Sequence, residues 1–299
     1  MRVPHAHVIL NPAARGGTAR RAKDPVARAF RAQGWTVEVQ ETERPGHARA
    51  LAAAAARGGA RRVIAVGGDG AVHEVANGIL EARSAAALGV VPVGSGNDFA
   101  KLLGVYRHDI SSAVARIATA RERRFDAGRV LGEFFVNSLG FGLGPAVVRT
   151  RNAMSGLKGF LSYLVPVVKT FASFRPPLFE VRADGFHERG LMTMVEVCNG
   201  TTAGGSYRFA PAADPADGRF DVCLIRRVGL LRFLVALPRV MRGTHVAMRE
   251  VALIRARQLT IRSSAAPLLF HLDGELRDPG VHECTVTLTR GCLNVLVAQ

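Results

Sequence analysis

The stretch "IAVGGDGAVHE", residues 64–74, carries an apolar run into three glycines that surround one aspartate. The apolar run predicts a buried strand, and the residues after the glycines are apolar at helical spacing. Glycines at such a turn permit positive φ and let backbone N–H groups approach an anion, to which a helix N-terminus adds donors and partial positive charge. Asp69 would repel phosphate, so we interpret it as a partner of a metal, a metal-bound water or a ribose hydroxyl. The alternative is a plain turn with Asp69 as helix cap.

A second loop of the same character follows the next apolar strand. In "PVGSGNDFAKLLG", residues 92–104, a Gly-Ser-Gly turn leads through Asn97 and Asp98 into another helical segment. Loops that follow neighbouring parallel strands meet at the carboxyl edge of the sheet, where doubly wound folds bind nucleotides. The first stretch matches neither the Walker pattern nor the dinucleotide fingerprint. The two loops together predict a nucleotide site of another kind.

The order of strand and helix patterns divides the chain into two domains. Over residues 1–125, short apolar strands alternate with helices, which predicts a doubly wound, parallel α/β domain that binds the nucleotide. Over residues 126–299, strands separated by Gly and Asp turns predict a mainly antiparallel β domain, with helices inserted near 155–174 and 229–242. We expect the last residues, "GCLNVLVAQ", to pack on the first domain.

Composition narrows the possible partners. The chain has 40 basic and 24 acidic residues, a net charge of +16. This excess has two interpretations: the protein binds a polyanion, or its solvent-exposed surface is simply rich in arginine. Aromatic residues do not interleave with basic stretches, so no nucleic-acid partner is expected. No apolar stretch reaches the length of a membrane span or a signal peptide, so we expect a soluble cytoplasmic protein. The four cysteines form no CxxC pair and are expected to be free, mostly buried thiols.

Five segments resemble the diacylglycerol kinase catalytic-domain family, which includes bacterial soluble lipid kinases and, more distantly, sphingoid-base and ceramide kinases. In chain order they are "NPAARGG" (11–17), "GGDGAVHEVANGIL" (67–80), "PVGSGNDFAKLLG" (92–104), "AGGSYRFAPAADPADGRFDV" (203–222) and "HLDGE" (271–275). GGDG alone also suits NAD kinases and phosphofructokinases, whereas "GSGNDFAK" and "DGE" narrow the match to the lipid kinases. The resemblance implies an NAD-kinase/phosphofructokinase-like first domain. It also implies an ATP- and Mg²⁺-dependent enzyme of lipid metabolism that phosphorylates a lipid hydroxyl, that of diacylglycerol or a related lipid.

The resemblance also implies a role for each matching residue. Glu275 would act as general base on the acceptor hydroxyl, with Asp273 close by. Asp217 would be the carboxylate ligand of a second, structural Mg²⁺, with carbonyl ligands from Asp214 and Arg219. The nucleotide would be bound by Asn11, Thr42, Gly67, Gly68, Asp69, Gly70, Ser95, Gly96 and Asn97, and the catalytic Mg²⁺ by Asp69, Asp98 and Asp126.

Two positions depart from the family pattern. Ala71 stands where the family has Thr, and His73 stands where it has Asn; we interpret His73 as a residue of the helix surface. His5, His7 and His47 lack a companion set at metal-ligand spacing, so no zinc site is expected. The segment 230–245 mixes apolar residues with arginines, and we favour a helix packed on the β domain over a membrane-touching one.

Two other functions stay open at this point. One is an ATP-dependent kinase of a soluble acceptor such as NAD, which would not need the apolar cleft beside Glu275 that a lipid kinase needs. The other is a nucleotide- or lipid-binding regulator without catalysis, which only the changes at Ala71 and His73 favour. For the kinase we expect transient peripheral contact with the inner membrane surface, and a homo-oligomer is possible.

Overall fold

A computed structural model describes residues 3–105, 109–154, 161–205 and 207–298. Contacts within the chain divide it into two compact units. The first unit contains the residues up to Asp126 and those from Arg290 onward, and the second unit is Ala127–Thr289. Residues 155–160 of the predicted helix near 155–174, and Ser206 in the 203–222 segment, lie outside the described residues.

A parallel sheet forms the centre of the first unit. Its strands are β1 (His5–Leu10), β2 (Thr36–Glu41), β3 (Arg62–Gly67) and β4 (Ala87–Pro92), joined by the C-terminal part of β15 (Glu283–Val297). The strand order is β15–β4–β3–β1–β2, which places β2 at an edge among the described strands. The residues of β3 and β4 are nearly all buried, as expected for parallel strands covered on both faces.

Helices cover this sheet, because each buries an apolar face in the first unit. They are a 3₁₀ helix (Thr18–Ala22), α1 (Lys23–Ala32), α2 (His47–Arg57), α3 (Asp69–Glu81), α4 (Asp98–Leu102) and α5 (Ile110–Ala118). The Ala-rich helix α2 packs closely on α3, since a Cβ atom on Gly78 would collide with the carbonyl oxygen of Arg49 and lie 2.8 Å from the Cβ atom of Ala52. The first unit therefore has a tightly packed helical layer formed by α2 and the C-terminal half of α3.

The second unit is built from antiparallel strands around β9. Residues 186–191 of β9 pair with β8, and residues 192–198 pair with β10 and, from Met194, with β7. β12 pairs with β8 and with the first part of β15, while β13 joins β7 to the short strand β14. The strands are β5 (Arg121–Val130, which begins in the first unit), β6 (Glu133–Phe135), β7 (Ser138–Gly142), β8 (Leu178–Ala183), β9 (Phe186–Cys198), β10 (Phe220–Arg226), β11 (Val251–Ala256), β12 (Gln258–Ser263), β13 (Phe270–Leu272) and β14 (Glu275–Arg277).

Three helices belong to the second unit: α6 (Leu143–Asn152), α7 (Leu161–Ser173) and α8 (Leu230–Arg242), followed by a 3₁₀ helix (Thr244–Ala247). Phe233 and Val240 of α8 are buried in a cluster with Met194 and Cys223, so the predicted packing of this helix on the β domain is confirmed. None of the helices in the described part of the chain combines the length and the apolar character needed to cross a membrane.

The predicted fold class is confirmed, and most predicted elements lie where the sequence pattern places them. Helix α6 was not predicted, because its first three residues include Gly144 and Pro145. Pro145 is the third residue of α6, where proline is tolerated since the first-turn N–H groups have no partner inside the helix. Cys198, Cys223, Cys284 and Cys292 are free thiols, and only Cys292 is not fully buried, as predicted.

Candidate active site

The two glycine-rich loops of the first unit touch at the carboxyl edge of the parallel sheet. The N–H groups of Val93 and Gly94 donate to the carbonyl oxygen of Gly67, at 2.9 and 3.2 Å. A Cβ atom on Gly94 would collide with the Cα atom of Gly68 and lie 3.0 Å from its nitrogen. The direct contact of the two backbones therefore requires glycine at position 94.

Helix α3 starts at this contact, with Gly68 as its N-cap residue and Asp69 as its first residue. Gly68 has no side chain that could accept from the first-turn N–H groups, so no N-cap side chain competes with an anion there. The predicted geometry, a glycine turn leading into the N-terminus of a long helix, is thus present. This arrangement can bind phosphate through backbone N–H groups and the helix dipole.

Asp69 connects the two loops. Its Oδ1 atom accepts a hydrogen bond from the backbone N–H of Phe99 at 3.2 Å, so it caps the first turn of α4. A carboxylate offers about four lone-pair sites, so this hydrogen bond is compatible with metal binding. Asp69 has a structural role that the sequence pattern does not reveal.

The tip of the second loop is shaped by Asn97, whose backbone is left-handed with φ of 53°. The Asn97 side chain accepts from the N–H of Gly94 at 3.1 Å and donates to the carbonyl oxygen of Gly94 at 2.9 Å. Ser95 is exposed and Gly96 is partly exposed at this tip. Asn97 thus holds the loop closed. The predicted contacts of Ser95 and Gly96 with a nucleotide stay predictions.

Asn11 and Thr42 follow β1 and β2 at the same edge of the sheet. The N–H of Asn11 donates to Val66 and that of Thr42 donates to Leu10, at 3.0 and 2.9 Å. Farther along the first of these loops, Arg15, Gly16 and Gly17 all have positive φ. A left-handed non-glycine residue costs roughly 1–2 kcal/mol, and such strain concentrates at functional loops.

Asp98 and Asp126 are buried carboxylates of the first unit, with 5% and 2% of their surface exposed. Asp98 forms an ion pair with Lys101 at 3.3 Å, and Asp126 accepts a hydrogen bond from the N–H of Gly291 at 2.7 Å. Among the described residues, Asp69, Asp98 and Asp126 do not bring three ligand atoms within 4.8 Å of one another. These hard oxygen donors suit Mg²⁺ bound partly through water, which is the form predicted, and not a direct three-carboxylate cage.

The interpretation of His73 as a surface residue is wrong. His73 is 3% exposed, because α3 is covered on almost all sides. Ala71 is 4% exposed and lies against Gly67, where a Cβ atom on Gly67 would collide with that of Ala71. Ala71 therefore replaces the family's threonine, and its hydroxyl, at a closely packed position directly beside the glycine turn.

Glu74 is a residue whose role the sequence pattern did not indicate. Its two carboxylate oxygens accept from the N–H groups of Gly46 and Ala48, at 2.9 and 3.0 Å. Gly46 is the N-cap residue of α2, so Glu74 caps α2 from the neighbouring helix. The spacing along one helix cannot reveal such a contact, because its partner is 26–28 residues away.

Asp273 anchors the "HLDGE" hairpin of the second unit. Its Oδ1 atom accepts from the N–H groups of Asn137 and Ser138 at 2.8 and 3.0 Å, and its Oδ2 atom accepts from Val136 at 3.0 Å. Asp273 is 7% exposed and has a left-handed backbone, φ 49°. Three hydrogen bonds to one carboxylate indicate that Asp273 positions the hairpin.

Glu275 lies two residues farther, on the opposite side of the turn. It pairs with Leu272 across the hairpin, and its side chain is exposed. The guanidinium of Arg277, two residues farther along β14, interacts electrostatically with this carboxylate. Of the two carboxylates predicted at this turn, Glu275 is the one whose geometry allows it to accept a proton from an incoming group.

A buried ion pair lies directly behind this hairpin. The Nε2 atom of His271 is 3.5 Å from Oε1 of Glu196, and Glu196 is fully buried. Gly140 lies between them in register on β7, and a Cβ atom there would collide with both side chains. Burial lowers the pKa of His271, but the carboxylates of Glu196 and Asp273 raise it by more, so the net shift is upward.

The loop 214–219 is closed by its own hydrogen bonds. The Asp214 carboxylate accepts from Ala216, and that of Asp217 accepts from Arg219, at 3.1 and 3.0 Å. The second oxygen of Asp217 forms a close ion pair with Arg255. The guanidinium of Arg255 therefore competes with any cation for Asp217, and the Mg²⁺ ligands that the resemblance implies for this loop stay a prediction.

A cavity of about 460 Å³ lies in the second unit. Three basic residues line it, Arg149, Lys169 and Arg175, together with hydroxyl groups such as that of Thr170. Neither Asp273 nor Glu275 is among the lining residues. This cavity is therefore not the apolar cleft beside Glu275 that a lipid acceptor was expected to need.

Both units match known families. Residues 5–130 match the diacylglycerol kinase catalytic domain, and residues 137–297 match the YegS C-terminal NAD kinase beta sandwich-like domain. The chain is 30% identical over 271 residues to a diacylglycerol kinase of Bacillus subtilis, covering 90% of this chain and 89% of the relative. It is 33% identical over 215 residues to a "Probable lipid kinase YegS-like" of Pseudomonas fluorescens, covering 70% and 71% of the two chains.

Solved structures share the fold at lower identity. A diacylglycerol kinase from Bacillus anthracis superposes with a TM-score of 0.74 at 18% identity, over 99% of this chain and 98% of the other. An NAD kinase from Archaeoglobus fulgidus, solved with ATP, superposes with a TM-score of 0.55 at 13% identity, over 99% and 93% of the chains. These likenesses establish the architecture alone.

The α/β unit with its two glycine loops and the antiparallel β unit with its DGE hairpin have the architecture of the NAD-kinase-like fold. The kinase names of the matching family and relatives make the chain a phosphotransferase. Within that class, the chain belongs to the diacylglycerol kinase family and its YegS-like lipid kinases.

Proposed function

We propose that the protein is an ATP- and Mg²⁺-dependent lipid kinase that phosphorylates the hydroxyl of diacylglycerol or a related lipid. The observation that supports this most directly is the exposed carboxylate of Glu275, on a hairpin that Asp273 fixes by three backbone hydrogen bonds. The acceptor class is supported by the lipid kinase family and by the name of the Bacillus subtilis relative.

The nucleotide phosphates would bind at the contact of the two glycine loops. The N-terminus of α3 supplies backbone donors there, and Gly68 and Gly94 let the two loops approach each other closely. Asn97 and Asp69 would act mainly by holding the loops in this shape, since both side chains bond to the second loop. Asn11 and Thr42 end the neighbouring strands at the same edge and would contact the rest of the nucleotide.

In the proposed reaction, Glu275 accepts the proton of the lipid hydroxyl while the hydroxyl oxygen bonds to the γ-phosphorus. The bond between that phosphorus and the β,γ-bridging oxygen breaks, and ADP leaves with the electron pair. A positioned general base contributes typically ~10²–10⁴-fold to such a step. Positioning and charge neutralisation supply most of the remaining rate in phosphoryl transfer.

Mg²⁺, when bound, would neutralise charge on the phosphate oxygens. Asp69, Asp98 and Asp126 would hold it, partly through water, since their oxygens do not converge on one point. The ion pair with Lys101 would keep Asp98 in place beside the first turn of α4.

Helix α8 suits the peripheral membrane contact that a lipid acceptor requires. Its outer face exposes Leu230, Leu231, Leu234 and Val235, with Leu231 81% exposed. Arg239 and Arg242 are exposed on the same helix. An amphipathic helix with apolar and basic residues binds at the interface of anionic membranes. Sedimentation with phosphatidylglycerol vesicles should decrease strongly for Leu231→Ser with Leu234→Ser, and unchanged sedimentation would contradict this contact.

The proposed activity is tested by label transfer from γ-labelled ATP. Diacylglycerol, phosphatidylglycerol, a sphingoid base and a polyprenol would be offered in detergent micelles, with NAD in parallel, each with Mg²⁺ and with excess chelator. The proposal predicts label on a lipid, and only with Mg²⁺. Label on NAD alone would indicate a soluble-acceptor kinase, and ATP binding without any transfer would indicate a regulator. Either result contradicts the proposal.

A further inference from the structure

His5, His7 and Glu38 come together near the amino ends of β1 and β2, away from the glycine loops at the carboxyl ends. His5 and His7 are two residues apart on β1, so their side chains point to the same face of the sheet. The parallel register places Glu38 opposite His7 and Thr36 opposite His5. Among the described residues, these three form the one group of His, Cys, Asp or Glu whose ligand atoms all lie within 4.8 Å of one another.

Neighbouring side chains orient the three groups. The Nδ1 atom of His5 is 2.8 Å from the hydroxyl of Thr36, which in turn donates to the carbonyl oxygen of Pro4 at 3.3 Å. In the tautomer that matches this arrangement, His5 donates from Nδ1 to the Thr36 hydroxyl, and Nε2 carries the lone pair that can bind a metal. A hydrogen bond from the second ring nitrogen is the usual support of a metal-bound histidine.

Glu38 is supported in the same manner. Its Oε1 atom accepts a hydrogen bond from the side chain of Gln40 at 3.0 Å, which turns Oε2 toward Nδ1 of His7, 3.4 Å away. The rings of His5 and His7 are 4.6 Å apart, edge to face. All three side chains are partly or fully exposed, so small rotations can bring their ligand atoms onto one ion.

We propose that His5, His7 and Glu38 form a binding site for a divalent transition-metal ion of the Zn²⁺ class. Two imidazoles with one carboxylate suit Zn²⁺, Ni²⁺ or Cu²⁺, whereas Mg²⁺ and Ca²⁺ prefer sites made only of oxygen. Three protein ligands leave one position for water or another small ligand. The bound ion would fasten the edge strand β2 to β1, independently of the proposed kinase chemistry.

This site overturns the expectation that these histidines lack companions. The third ligand comes from β2, about 31 residues from the histidines along the chain, and only the strand register brings it opposite His7. Ligand spacing along one segment therefore could not reveal the site. His47, the third histidine considered, instead accepts a hydrogen bond from the N–H of Glu43 at 3.2 Å.

The test is calorimetric titration of the full chain with ZnCl₂, on protein free of any polyhistidine tag and first stripped with chelator. The proposal predicts one ion per chain and a Tm that rises by a few degrees at saturating Zn²⁺. His5→Ala, His7→Ala and Glu38→Gln should each weaken binding at least tenfold. With Cu²⁺, the electron paramagnetic resonance spectrum should show coupling to two imidazole nitrogens, and each histidine substitution should remove one.

His187 provides a matched control. It forms an ion pair with Glu180 of the neighbouring strand at 3.0 Å, but among the described residues the two belong to no group of three metal-ligating side chains. His187→Ala should leave the affinity for Zn²⁺ unchanged. The absence of binding, binding that persists in both His5→Ala and His7→Ala, or an equal loss in His187→Ala would overturn the proposal, and the pair of His7 with Glu38 would then be an ordinary ion pair.

Discussion

Replacing Gly94 by Ala tests whether the contact of the two glycine loops creates the nucleotide site. The new Cβ atom would collide with the Cα atom of Gly68, and it would lie 2.9 Å from Oδ1 of Asn97. These neighbours are backbone, or a side chain that is itself bonded to the loop, so they cannot rotate away. Gly94 does not have positive φ, so the cost comes from the collision and not from backbone strain.

Overpacking of this kind costs typically about 1–3 kcal/mol. For a domain of this size, that corresponds to a decrease of Tm of about 2–12 °C. Gly68→Ala places its Cβ atom 3.2 Å from the Cα atom of Gly94, a tighter contact than usual but a weaker collision. The affinity for ATP should therefore decrease in the order wild type, Gly68→Ala, Gly94→Ala, because separating the loops moves the N–H donors apart.

The assay is equilibrium binding of ATP together with thermal unfolding of each variant. Gly190→Ala is the control, because its Cβ atom would meet nothing within 4 Å and its φ is not positive. This control should bind ATP normally and keep its stability. If Gly94→Ala loses stability by the expected amount but binds ATP like the wild type, the contact between the two loops does not shape the nucleotide site.

Three further predictions concern the second unit. Asp273→Asn should lower the free energy of unfolding, measured by chemical denaturation, by about 1.5–3 kcal/mol. The reason is that the amide nitrogen of asparagine cannot accept a hydrogen bond from a backbone N–H. Glu196→Gln should cost about 3–5 kcal/mol by breaking the buried pair. Since the pKa of His271 is raised, this pair stabilises most below pH 6.5, and the difference from wild type should shrink as pH increases. Arg255→Met should release Asp217 and make Tm depend on Mg²⁺.

Each of these has a result that contradicts it. Asp278→Asn, at an exposed residue, should be neutral, and an equal loss there would remove the special role of Asp273. A stability difference for Glu196→Gln that grows as pH increases would mean that His271 is neutral in the folded protein. A Tm of Arg255→Met that is insensitive to Mg²⁺ would exclude a cation site at Asp217.

Local sequence patterns were enough to predict most of the strands, several of the helices and the two glycine loops. The run before Gly67 and the apolar spacing of α3 depend only on neighbouring residues, and both are found as predicted. The segment DGE likewise depends only on neighbouring residues. The structure shows a turn there, with positive φ at Gly274.

The contacts that could not be predicted join residues far apart in the chain. Asp273 bonds to residues about 135–137 positions away, and Glu74 caps another helix. His73 was misplaced because the polarity of one residue does not reveal that a helix is covered on nearly every side. Strand register brings Glu38 to His7 and Gly140 between His271 and Glu196, and register is a property of the folded sheet.

In the proposed reaction, Glu275 is the general base that activates the lipid hydroxyl. The most direct test of this role is kcat for lipid phosphorylation by Glu275→Gln, compared with Glu283→Gln, another exposed glutamate at the start of a strand. We predict that Glu275→Gln lowers kcat by about 10²–10⁴-fold while ATP affinity and Tm stay unchanged, and that Glu283→Gln keeps wild-type activity. A Glu275→Gln variant whose kcat stays near that of the wild type would contradict the account.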